Sequence, residues 1–309
     1  MQNQSITKFM TQLSPACTCV ALITLCACIK PEHANYNFPR WAAYYHMQEP
    51  LSSLLSFDLL VLDSEQHPKL APLKAAQIPL LGYISVGEVR DPETKRFLSS
   101  SSILGKNPHW DSYIVDVRDP KWADYIVNKA IPATLARGFD GVMLDTMDSP
   151  LHLETTNPRT YQGMSESLIH IVRQIRKKYP NIKIMVNRAF EILPEIAPQI
   201  DMLLAESIYS NYTFATDEAS LHPDAVYMQY VEKIHHARQL VPNLSVYTLD
   251  YWDMNDSYGV THIYETQREH GFIPYVTTPN LTKIHHESNA STMDPNAMGL
   301  SKMKGRFDA

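Results

Sequence analysis

Beyond Cys28 the chain contains no cysteine; Cys17, Cys19, Cys26 and Cys28 account for all four in the 309-residue sequence. A mature domain beginning after them can have no disulfide, no thiolate metal site and no cysteine nucleophile. Glycine is scarce as well, with 10 residues, and none forms G-x-G-x-x-G, a phosphate-binding loop or the G-x-S-x-G elbow. Dinucleotide and nucleoside triphosphate chemistry on Gly-rich turns, and serine hydrolysis at an elbow, are thereby excluded. Positive charge is in deficit, 27 Lys and Arg against 33 Asp and Glu for a net charge of −6, so no basic face is expected for nucleic acid. No H-E-x-x-H or EF-hand spacing occurs among the 13 histidines and the acids, and no metal or cofactor is expected.

What is present begins with an address. Residues 16–27 form an uncharged apolar run after Lys8. A membrane-spanning helix needs about 20 residues, so this shorter run fits the core of a signal peptide. It ends in Leu25-Cys26-Ala27-Cys28, which resembles a bacterial lipobox with Cys28 as the lipidated residue. Ordinary signal cleavage needs small residues at −3 and −1, and Leu25 and Glu32 spoil the two available sites. Ile29 follows Cys28 where an aspartate would signal inner-membrane retention. The expectation is an exported chain, membrane-anchored through Cys28 in the periplasm or at the outer membrane, with simple secretion as the alternative.

Eight apolar runs follow, at 41–47, 57–62, 79–86, 138–144, 182–186, 201–205, 244–249 and 272–276. Helical patterns separate several of them, at 120–137, 165–179, 222–240 and 256–270, and Gly138 and Gly271 mark helix ends. Short apolar strands alternating with helices are the pattern of a parallel sheet buried on both faces. Eight such units without internal repeat predict an α/β fold, a single (β/α)8 TIM barrel, with a doubly wound open sheet as the rival that the missing Gly-rich turn weakens. A ninth run at 112–117 reads as an extra short strand before barrel strand 4. The domain order is then a lipoprotein-type signal peptide at 1–27, a linker at 28–38, the barrel at 39–282 and a polar tail at 283–309.

In a parallel barrel the carboxyl ends of the strands converge on one catalytic face. Here those ends carry Asp63, Glu65, Glu88, Asp145, Asp148, Glu206, Asp250 and Asp253, together with Tyr44, Tyr45, Tyr83, Tyr209, Tyr251, Trp252 and Tyr275. Acids among rings, without a histidine cluster, suit a carbohydrate: two carboxyls cleave the glycosidic bond and rings stack on sugar faces. Asp63 and Glu65 read equally well as helix N-caps or surface charges. Asp145 and Glu206 are harder to dismiss, because each directly follows an apolar strand where an unmatched charge costs several kcal/mol. A binding barrel without catalysis is the alternative; it needs the rings but not both acids.

Five strings occur in order: Tyr83 to Glu88 (YISVGE), Asp116 to Trp122 (DVRDPKW), Gly138 to Asp145 (GFDGVMLD), Val186-Asn187-Arg188 and Ala205-Glu206-Ser207. Together they resemble glycoside hydrolase family 114, the endo-α-1,4-polygalactosaminidase-like barrels, related to the hydrolase domain acting on Pel polysaccharide. The resemblance spans roughly residues 41–280. It implies a TIM barrel, export, and hydrolysis of an α-1,4-linked galactosamine polysaccharide, with Asp145 and Glu206 as the catalytic pair; by analogy with related α-galactosidase-like barrels, Asp145 would be the nucleophile and Glu206 the acid/base. Asp63, Glu88 and Asp250 would then hold the sugar's amine and hydroxyls, with Tyr45, Tyr83, Asn187, Tyr209, Tyr251 and Trp252 completing the substrate-binding set. Arg188, following Asn187, departs from the small or polar residue expected there. It would repel an amino sugar or pair with a strand-end acid such as Glu206.

Overall fold

The computed structural model describes residues 38–90 and 97–287. The predicted leader, the lipidation at Cys28 and nearly all of the linker lie outside those residues, as does the tail from 288 onward. In chain order the strands are β1 (Trp41–Tyr44), β2 (Leu59–Asp63), β3 (Leu80–Ser85), β4 (Glu88–Val89), β5 (Ile103–Asn107), β6 (Ser112–Val115), β7 (Gly141–Asp145), β8 (Lys183–Asn187), β9 (Met202–Glu206), β10 (Ser210–Thr213), β11 (Glu218–Leu221), β12 (Ser245–Tyr251) and β13 (Ile273–Thr277). Eight of them pair side by side in the order β1-β2-β3-β7-β8-β9-β12-β13, all parallel. These are the eight apolar runs of the sequence. Between the first and last strands the indole of Trp41 donates to the Ile273 carbonyl at 2.9 Å and packs edge-on to Tyr275, so the sheet nearly closes into a TIM barrel.

Both faces of the sheet are buried, and successive residues alternate between two cores. On β7, Val142 and Leu144 face the helices while Met143 faces the barrel interior; on β8 the same split separates Ile184 and Val186 from Met185. Strand β9 divides Leu203 and Ala205 from Met202 and Leu204 in the same way. The helix over 164–178 presents Leu168, Ile171, Val172 and Ile175 to the outer core, the i, i+3, i+4, i+7 stripe that its sequence carries. The predicted helix at 120–137 forms, but its turn widens at Ile126–Ala130 just ahead of Pro132, which has no N–H to donate.

The ninth apolar run lies outside the barrel. Strand β6 pairs antiparallel with β4 and β5 in a separate small sheet between β3 and β7. A second excursion, the β10–β11 hairpin, follows β9. Neither the partners of β6 nor this hairpin is signalled by periodicity, because β4 is only two residues long and β5, β10 and β11 are short and half exposed. Residues 283–287, assigned to the tail by their polarity, lie against the barrel: Ile284 N donates to Glu49, His285 N to the Tyr275 hydroxyl, and Arg268 pairs with Glu287 at 2.6 Å.

Candidate active site

The alternation that fills the barrel also aims the strand ends. Asp145 continues the inward series of Met143, Asn187 that of Met185, Glu206 that of Leu204 and Tyr251 that of Leu249. All four side chains therefore meet at the mouth of the barrel. The Asn187 side-chain nitrogen donates to Asp145 Oδ1 at 2.8 Å and to Glu206 Oε2 at 2.5 Å. One atom bridges both acids, so these two oxygens cannot be farther apart than the sum of those distances. Tyr251 donates its hydroxyl to Glu206 Oε1 at 2.6 Å, and Tyr83 donates to Asp145. The rings of Tyr45 and Tyr83 meet at 5.2 Å beside the pair.

Burial, reinforced by the charge on Glu206, pushes the Asp145 carboxyl up from its ordinary 3.8 to about 6, against the bonds from Asn187, Thr146 N and Tyr83. Burial pushes the phenols of Tyr45, Tyr83 and Tyr251 well above their usual range, helped by the charge of Asp145 at all three and by that of Glu206 at Tyr45 and Tyr251. They stay protonated, and Tyr83 and Tyr251 act as donors, not as bases. The backbone just past these acids is strained. Thr146 (φ 64°), Arg188 (φ 54°) and Ser207 (φ 49°), which directly follow Asp145, Asn187 and Glu206, all turn left-handed without being glycine. Such residues cost about 1–3 kcal/mol each and persist where surrounding structure holds them. One clamp is visible: Gly87 N and Ser85 Oγ both bond the Thr146 hydroxyl at 2.8 Å. A Cβ on Gly87 would lie 2.1 Å from the Thr146 carbonyl, so only glycine fits there.

The pair sits in a cleft of about 900 Å³. Two carboxyls held this close among protonated phenols, in a cleft too large for a small metabolite alone, are an arrangement chemically able to serve glycosidic cleavage. Comparison with known proteins agrees. Residues 29–294 match the sequence model of glycoside-hydrolase family GH114. The chain belongs to glycoside-hydrolase family GH114. It is a glycosidase. The glycoside hydrolase domain of PelA from Pseudomonas aeruginosa has a similar fold, with a TM-score of 0.71 at 23% identity over 81% of this chain and 99% of that one. The Aspergillus fumigatus Ega3 complex with galactosamine is similar at a TM-score of 0.60 and 15% identity, over 79% of this chain and 92% of that one. No curated protein sequence matches.

The other expected site residues of this GH114 chain divide into two groups. Asp63, Glu88 and Arg188 line the cleft, as do Tyr45, Tyr83 and Tyr251. Asp63 Oδ1 accepts Glu65 N and Gln66 N, both at 2.7 Å, and so caps its own turn. Glu88 is 3% exposed and takes bonds from Ser112, Asn107 and Ser149, which tie the small sheet to the helix at 148–156. Its carboxylate holds the cleft wall. Arg188 bonds the main-chain oxygen of Glu206 at 2.5 Å, not its carboxylate, lies over Phe190 and Tyr230, and faces Asp148 at 3.6 Å. Its cation is balanced and anchored, which answers the expected repulsion.

Asp250, Tyr209 and Trp252 do not line the cleft, and their expected contact with substrate is corrected. Asp250 has the opposite parity from Tyr251, so it points to the outer layer. It is fully buried there and accepts Tyr209 N, Ser210 N, Ser210 Oγ and Gln267 Nε2. Tyr209 bonds His262 at 2.8 Å, and Trp252 bonds Asp256 at 3.0 Å. Tyr44 and Tyr275 are likewise core residues, 0% and 1% exposed. The sequence reading missed Trp110, which lines the cleft from a loop and not from a strand end.

Proposed function

We propose that this glycosidase cleaves an α-1,4-linked galactosamine polysaccharide within the chain, by double displacement with retention. The carrying observation is the single Asn187 nitrogen shared by Asp145 and Glu206. It limits the oxygen separation to the roughly 5–5.5 Å of retaining enzymes, short of the roughly 6.5–9.5 Å that an inverting water needs. Glu206 protonates the glycosidic oxygen as Asp145 attacks the anomeric carbon, the C–O bond breaks, and a glycosyl ester forms on Asp145. Glu206, now deprotonated, takes a proton from water, whose oxygen attacks the anomeric carbon and frees Asp145. Asn187 and the phenols of Tyr83 and Tyr251 steady the charge that moves between the two carboxylates. The substrate class is supported by the family and by the kinship of fold with PelA and with Ega3, whose structure holds galactosamine. Asp63, which also lines the cleft, offers the amines a carboxylate.

Proton NMR of a digest of α-1,4-galactosamine polymer tests this. Short oligosaccharides are expected whose first-formed reducing end is the α anomer, with β appearing later by mutarotation. A β anomer formed first would overturn the mechanism, and an uncut polymer would overturn the substrate.

Export and anchoring at Cys28 are supported by the leader sequence alone. In a Gram-negative host the full chain is expected in the membrane fraction, and Cys28→Ser is expected to release it or leave it unprocessed. A wild-type chain found in the soluble fraction would refute the anchor.

A further inference from the structure

Two hairpins from distant parts of the chain lean together at the rim of the cleft. The β5–β6 turn carries His109 and Trp110, and the β10–β11 turn carries Phe214, with Tyr212 on β10 beside it. Trp110 meets Phe214 edge to face at 5.3 Å, and His109 stacks on Phe214 at 5.2 Å. Tyr212 packs on Phe214 at 5.1 Å and lies 6.3 Å from Tyr251, whose hydroxyl holds Glu206. A row of rings thus runs from the acid/base outward to the rim. Each turn is braced in itself, by Tyr212 donating to Asp217 and by the Lys106–Asp111 pair at 2.6 Å.

Trp110 nevertheless remains 40% exposed and lines the cleft, while Phe214 is 42% exposed and lies behind it. An indole left open beside a polar cleft, fixed in place by a second hairpin, is a surface prepared for a ligand. Its apolar face matches the C–H face of a pyranose, and its quadrupole attracts a protonated amine on that ring. The cleft also exceeds the room that one sugar needs at the carboxylates.

We propose that Trp110 is a sugar-stacking residue of a binding subsite removed from the point of cleavage, held by its edge contact with Phe214, and that it takes an amino-sugar unit of the polymer. This rests on the polysaccharide reading above and adds to it the residue that lets the chain bind along the polymer. The subsite is filled only when the substrate is long enough to reach from Glu206 to the rim.

Steady-state kinetics of the full chain on α-1,4-galactosamine polymer and on the trisaccharide, for wild type, Trp110→Ala, Trp110→Phe and Phe214→Ala, test it. Trp110→Ala is expected to raise KM on the polymer about tenfold, equivalent to about 1.4 kcal/mol of lost binding, with kcat within about twofold. The change on the trisaccharide is expected to be much smaller, Trp110→Phe to recover most of the loss, and Phe214→Ala to move KM the same way by a few-fold. An unchanged polymer KM in Trp110→Ala, with wild type active, overturns the platform alone. An equal rise on polymer and trisaccharide also overturns it, since a local packing defect would act on both. A wild type that leaves the polymer uncut overturns the substrate reading and the platform with it.

Discussion

Glu206→Gln and Asp145→Asn are each expected to lower polymer turnover by about a thousandfold or more, since each removes a group that carries a proton or forms a bond in the rate-limiting step. The two losses differ in kind. With an aryl α-galactosaminide whose leaving group needs no proton, Glu206→Gln should still form the glycosyl ester on Asp145 quickly. The ester then accumulates, because the base for its hydrolysis is gone. Added azide, which needs no base, should restore turnover and give the α-glycosyl azide. Asp145→Asn has no nucleophile to esterify, so neither the activated leaving group nor accumulation of an ester should appear. Kinetics and intact-protein mass measured together separate the two roles. Retention of more than about a tenth of polymer turnover in either variant would break the assignment. The reverse pattern, with the ester on Glu206, would exchange the roles.

The same Asp145→Asn change is expected to stabilise the fold at neutral pH. Asp145 titrates near 6 in the folded chain and at about 3.8 when unfolded, because burial and the charge of Glu206 oppose its ionisation. The folded state therefore binds the proton more tightly. That contribution is fully present below pH 3.8, declines as pH rises through about 6, and is absent above it. The shift corresponds to an order of about 3 kcal/mol. Wild type and variant should thus be similar in stability near pH 3.5, with the variant gaining by about 1–3 kcal/mol above pH 7. Urea unfolding of the pair across pH checks this, since the difference cancels carboxylates such as Asp58 and Glu154 whose values move the other way. A wild type more stable than the variant at pH 7 would refute it. Activity should carry the mirror image, falling about tenfold per pH unit below about 6 as the nucleophile becomes protonated.

The barrel was legible in the amino-acid pattern, because eight apolar runs of strand length alternating with helices are buried as a parallel sheet with helices outside, and the missing Gly-rich turn weighs against an open doubly wound sheet. The same pattern singles out Asp145 and Glu206 as candidates, since a charge that ends such a run must be matched or used. The antiparallel place of the extra run at 112–115 agreed with its reading as a strand before barrel strand 4.

Tertiary structure alone decided which neighbours of those acids reach the substrate. In a strand apolar on both faces, alternation tells that residues take turns but not which face is the interior. Asp250 and Tyr251 are thus equal candidates in sequence, and only the closed sheet sends one to the outer core and the other to Glu206. The bridge from Asn187 to both acids depends on three adjacent strands, β7, β8 and β9, being in register. The raised value of Asp145 depends on its burial and then on the charge of Glu206 set beside it. Trp110 and Phe214 lie on loops more than a hundred positions apart, and nothing local marks them, because their meeting is a property of how two excursions lean over one cleft.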